Sequence, residues 1–204
     1  MKLTIKTLLS VVLMAMIMFS CGNKKGNRNM ASVEQEAVQT LTDSYFQAID
    51  RYFTNEIAPQ YASAELCIPY HDYAVVDDSN PDEVQVLGDF WVENYNIVGD
   101  TLMFVSGGNH AGKVHIKKDS EGNYVAAGFD AVGDGSEFLP TAKAIFGERF
   151  EDFQKANSDH VLREKIRKTA ISGYVYKNRL GVKFYKDYGW PAVEIPGPEE
   201  TSRQ

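Results

Sequence analysis

The chain of 204 residues holds only two cysteines, Cys21 and Cys67, so a disulfide-stapled scaffold is excluded and stability has to come from a packed core. Positive charge is also scarce, with 21 Lys and Arg against 28 Asp and Glu. It is unevenly spread: residues 1–31 carry five cations (Lys2, Lys6, Lys24, Lys25 and Arg28) and no acid, and removing those five from the net −7 leaves −12 on the rest. A domain that acidic repels phosphate backbones, which argues against a nucleic-acid partner. Catalytic signatures are missing as well: no Gly-x-Ser-x-Gly, His-Glu-x-x-His or Cys-x-x-Cys occurs. Only one long apolar run exists, Leu8 to Phe19, about a dozen residues where about 20 are needed to span a bilayer. No internal repeat is present, and after residue 31 no linker is long enough to divide two domains.

The short apolar run follows a basic start at Lys2 and Lys6, the pattern of a removable export signal. It ends in Met18-Phe19-Ser20-Cys21-Gly22. This resembles the lipobox of bacterial lipoproteins, of the looser kind found in Bacteroidetes, with Met18, Ser20 and Cys21 matching and Phe19 bulkier than the usual small residue. The resemblance implies cleavage before Cys21 and acylation of its sulfur, with palmitate-type chains holding the protein to a membrane. Several chains on one cysteine are needed, since a single chain binds only marginally. The expected organisation is a signal peptide over 1–20, the lipidated Cys21 and a flexible polar tether over 21–31, one domain over 32–195 and a polar tail over 196–204. Surface-exposed lipoproteins of this group carry acids soon after the cysteine; the basic tether here therefore predicts the outer membrane with the domain facing the periplasm. With Cys21 acylated, Cys67 has no disulfide partner and reads as a buried small hydrophobe within Leu66-Cys67-Ile68, the alternative being a reactive pair with His71.

From Ser32 to Ile57, apolar residues recur at Val38, Leu41, Tyr45, Ile49, Phe53 and Ile57, one face of a long amphipathic helix that Ser32 and Gln35 would cap and Pro59 would stop. From Leu66 to Ala131 the period becomes two. Turn signals at Val98-Gly99-Asp100, Gly107-Gly108-Asn109 and Asp119-Ser120-Glu121-Gly122-Asn123 divide the run into short strands that can only pair antiparallel. Helical spacing returns from Pro140 to about Ala156, and again after Ser158 or Asp159 as far as Asn178. An edge strand follows over 181–185, and Tyr188-Gly189-Trp190-Pro191 reads as a clamp on it. The predicted class is α+β: an antiparallel meander with one long N-terminal helix and two later helices packed on it, similar in outline to cystatin-like rolls.

Three sets of residues could carry activity. Trp91, Tyr95 and Tyr124 offer the rigid, polar-tipped rings that line ligand grooves, and make a non-catalytic domain binding a small molecule or an envelope protein the leading expectation. His110 with Asp130 and Asp134 could act as base and orienter in a hydrolase or metal-dependent enzyme. Asp130, Asp134 and Glu137, in a loop with Gly133 and Gly135, could instead present oxygens to a hard cation, although Asp and Gly also serve an ordinary turn. A structural assembly factor is the third possibility. No cofactor is expected, and the membrane is the one partner that a motif predicts, through Cys21.

Overall fold

Alternating apolar residues along three long strands build the frame of the molecule. In the computed structural model, which describes residues 36, 39, 44–80 and 82–197, strands β1 (Leu66–Asp77), β2 (Val84–Val98), β3 (Thr101–Lys118) and β4 (Tyr124–Ala131) run as an antiparallel meander. The signal peptide, Cys21, the tether, the Ser32 helix start and residues 198–204 lie outside the described residues. The turns are those that the glycines announce. Gly99 (φ +62°) closes β2 onto β3 and Gly122 (φ +85°) closes β3 onto β4, where the Asp119 carboxylate accepts from the backbone N–H groups of Glu121 and Asn123 at 2.9 Å. Register shifts at His71/Tyr73, Asn94/Tyr95 and His115/Ile116 each add a bend, so the sheet curls. Two short strands complete it: β5 (Phe184–Lys186), parallel to the first residues of β3, and β6 (Val193–Glu194), antiparallel to β5. The order is β1-β2-β3-β5-β6, with β4 on the other half of β3.

Helices cover both faces of the sheet. On one face lies α1 (residues 44–52), which loosens into a π turn (Phe53–Ile57) and a 3-10 turn (Ala58–Gln60) as it meets Pro59. Its Tyr45, Ile49 and Phe53 pack on Val86, Phe90, Val92, Val114 and Ile116. On the other face lie α2 (Phe138–Phe146), α3 (Phe150–Ser158) and α4 (His160–Lys177). The first two bury Ala142, Phe146 and Phe153 against Ala111, Tyr73 and Leu87; α4 buries Ile171 and Val175 against Ile68, Tyr95, Leu102 and Tyr185. Asp159 caps α4, its carboxylate accepting from Leu162 N–H at 2.9 Å.

Four local expectations are corrected. Gly107 and Gly108 do not make a turn but lie within the continuous β3, facing Glu93 and Val92. They are glycines because a Cβ at 107 would strike the Val92 carbonyl and one at 108 would stand 2.5 Å from the Tyr61 hydroxyl. The helix expected from 140 to 156 is two helices, broken at Gly147, whose φ of +51° no continuing helix adopts. The strand expected at the edge over 181–185 is β5, which pairs parallel to β3 because the chain returns to it by way of three helices, and β6 lies outside it. Tyr188 and Trp190 clamp nothing: both are exposed.

Candidate functional site

Because α1 and α4 lie on opposite faces and both overhang the sheet edge at β1, a groove of about 500 Å³ opens between them, floored by Cys67, Ile68 and Pro69. One wall carries Asp50, Arg51 and Thr54; the other carries Ala170, Gly173, Tyr174 and Lys177. The volume falls within the range of small-ligand sites, about 300–1,000 Å³, which combine apolar walls with a few convergent polar groups.

Three features distinguish this groove. First, the Asp50 carboxyl accepts no hydrogen bond among the described residues, and burial pushes its pKa up to about 6 against the pull of Lys177 and Arg51. Second, Gly173 sits within α4, in its last two turns, where glycine costs up to about 1 kcal/mol relative to alanine, yet a Cβ there would touch nothing within 4 Å. No packing contact requires it. Third, burial pushes the Cys67 thiol up to about 11, so the sulfur in the floor is a neutral thiol at ordinary pH and not a nucleophile.

Protein-family models, curated proteins and solved structures give no match to this chain.

A second cavity, of about 410 Å³, lies where β3 and the end of β4 meet Tyr61. It brings His110 and Asp134 together, with the Tyr61 hydroxyl 2.9 Å from His110 Nε2. Burial lowers the His110 pKa while the Asp134 charge pulls it the other way. Asp130 does not join them; its carboxylate pairs with His115 Nε2 at 3.0 Å and Lys113 Nζ at 3.3 Å, which holds it below the usual carboxylate range. No serine, threonine or cysteine is among the described residues lining this cavity, and the hydroxyl that His110 meets there is that of Tyr61. Glu137 is exposed on the turn before α2, and among the described residues no group of three His, Cys, Asp or Glu side chains could hold a metal ion.

The three aromatics singled out as a binding surface are not brought together. Tyr95 is fully enclosed between β2 and α4, its hydroxyl donating to Glu93 Oε2 and accepting from Arg167 Nη2. Trp91 stacks on Tyr70 and is roofed by the Arg163 guanidinium, 4.9 Å from its ring. Tyr124 meets Tyr45 edge-on near the other face. Trp91 and Tyr95 lie on the face opposite Phe90, and α4 fills that face.

What α4 covers is unusually polar. Arg167 donates to Glu93 at 2.8 Å and to both carboxylate oxygens of Asp187, at 2.8 and 2.6 Å. One turn earlier, Arg163 donates to Asp72 Oδ2 at 2.9 Å and to the Asn157 carbonyl. Beside Asp72 lies Asp89, wholly buried, whose oxygens accept from Asn109 at 3.1 Å and Asn157 at 2.8 Å. Burial, and then the neighbouring Asp72 charge, push the Asp89 pKa up to about 6. Asp72 Oδ1 is buried without a donor, which a proton on Asp89 supplies. These paired groups are consumed by one another and fix α4 on the sheet. The groove is the place where charged groups are left over.

Proposed function

We propose that this is a lipid-anchored protein of the bacterial cell envelope, attached through Cys21 and held at the periplasmic face of the outer membrane, whose domain binds a small amphiphilic ligand without transforming it. The anchor and compartment rest on the lipobox-like Met18 to Gly22 and the basic tether. The binding reading rests on one observation: a carboxyl without a hydrogen bond among the described residues, Asp50, in a groove of about 500 Å³ that also offers an apolar floor and an open glycine on α4. Binding is preferred to hydrolysis because Cys67 is held as a neutral thiol and Asp130, which would have oriented His110, pairs with His115 and Lys113 instead. The helix of residues 44–52 lying on a curled sheet supports keeping the likeness to cystatin-like rolls, with the helices on the opposite face as an addition to that outline.

The test is thermal unfolding in the presence of decylamine, decanoate, leucine and Leu-Leu, each with the native protein and with Gly173→Phe, which fills the groove from a position free of neighbours. A ligand at about one hundred times its Kd adds about 2.7 kcal/mol, a shift of several degrees. At least one probe should raise the native Tm, and Gly173→Phe should abolish that rise. A rise that persists in Gly173→Phe, or no rise with any probe, rejects the groove as the binding site.

A further inference from the structure

Resting on the groove as the binding site, we infer that its ligand is a zwitterion with an apolar body: a free apolar amino acid, or a short apolar peptide bearing both of its charged ends. Two charged side chains of the groove stand apart from any partner among the described residues. Asp50 belongs to α1 and Lys177 to the last turn of α4, so they lie on opposite walls of the groove. The charge of Lys177 reaches Asp50 across the groove. Neither joins an ion pair or hydrogen bond among the described residues, and Lys177 is on a long side chain that could otherwise reach a partner. Arg51, the other cation on the rim, is engaged elsewhere, donating from Nη2 to the Tyr124 carbonyl at 2.9 Å.

One open carboxylate and one open ammonium facing the same space select among ligands by charge. An alkyl amine satisfies Asp50 but is repelled by Lys177. A fatty acid does the reverse. A molecule with an ammonium and a carboxylate answers both at once, with charge-assisted hydrogen bonds at each end. Its apolar part then lies on Ile68, Pro69, Ala170 and Tyr174, and Gly173 leaves room for it in the last two turns of α4. Because the two ends are read separately, blocking either one should cost affinity independently.

The experiment is isothermal titration calorimetry of the native protein with leucine, Leu-Leu, N-acetyl-leucine and leucinamide, with decylamine and decanoate as single-charge controls. Leucine or Leu-Leu should bind, and which of the two binds tells a free amino acid from a peptide. Acetylating the amine or amidating the carboxylate should weaken binding at least about tenfold each. Asp50→Asn should erase the preference for a free amine while leaving that for a free carboxylate, and Lys177→Gln should do the opposite. The groups facing Asp50 are Arg51 on its own helix, Cys67 of β1, and Tyr174 and Lys177 of α4. Affinity for the zwitterion should fall as pH drops through about 6 and Asp50 takes up a proton. Capped and uncapped forms binding alike, or neither leucine nor Leu-Leu binding, would overturn the inference. In that event decylamine or decanoate binding that Gly173→Phe abolishes would leave the groove standing as a site for another class of ligand; binding by none, or binding indifferent to Gly173→Phe, would remove both.

Discussion

Asp89→Asn should flatten the pH dependence of stability that the buried acid pair imposes. Asp89 is wholly enclosed, and its pKa is pushed from 3.8 to about 6 by burial and by Asp72. A group whose folded-state pKa is raised contributes stability that is fully present below its unfolded pKa and is lost as pH rises through the folded value. At about 1.36 kcal/mol per unit, ionising Asp89 inside the protein therefore removes about 3 kcal/mol between acid and mildly alkaline solution, roughly half of it between about pH 5 and about pH 8. Asparagine keeps the shape, keeps an oxygen for Asn109 or Asn157, and offers an N–H to the unsatisfied Asp72 Oδ1 at every pH. Urea unfolding at about pH 5 and about pH 8 gives the comparison, with the m-value checked for constancy. Asp50 titrates near the same pH, so the quantity that counts is the difference between the two proteins and not the native slope alone. The native protein should lose on the order of 1–2 kcal/mol more than Asp89→Asn over that interval. Equal losses in the two proteins would refute the reasoning, because they would show that Asp89 does not carry the shifted proton.

Three further outcomes follow from the same contacts. Arg167→Met should cost about 3–5 kcal/mol in chemical denaturation, because it leaves Glu93 ionised and unpaired beneath α4; a loss under about 1 kcal/mol would mean that Glu93 finds water or a proton instead. Gly173→Ala should stabilise by about 0.5–1 kcal/mol in the absence of ligand, since its Cβ meets nothing; destabilisation would show that the glycine has a packing role after all. Tyr73→Phe should be neutral or stabilising by up to about 1 kcal/mol, as the hydroxyl it removes is buried without a partner, and a clear loss of stability would reveal a hydrogen bond to that oxygen.

The parts of this fold that can be read from the sequence are those set by near neighbours. The alternation of Val84, Val86, Phe90 and Val92, the turns at Gly99 and Gly122, and the Asp159 cap all act within a few residues, and each forms where the pattern indicates. Gly107-Gly108 misleads because two reasons for glycine, a turn and a close approach, leave the same letters; only the position of Tyr61, more than forty residues earlier, separates them. The charged layer is illegible for a related reason. Glu93 and Arg167 are 74 residues apart, and nothing local to either tells a buried pair from two solvated charges. The groove is assembled from residues around 50, 68 and 173, so no stretch of sequence contains it. One clue was present: a glycine inside an otherwise strongly helical segment, at 173, with no turn or break to explain it.

The unequal strands also dictate an order of assembly. Strands β1 to β4 zip together through short turns, each pairing with the strand just before it, whereas β5 meets β3 over only three residues after a detour of more than fifty from the end of β4 through α2, α3 and α4. Closing so long a loop for so short a ladder makes the C-terminal segment the last to join and the first to open. Amide exchange should show it, with slow protons in β2 and β3 and fast ones in β5 and β6. One wall of the groove is the last two turns of α4, which precede that segment directly. Whatever occupies the groove braces the region with the least to lose by opening, so a bound ligand should slow exchange far beyond the residues it touches.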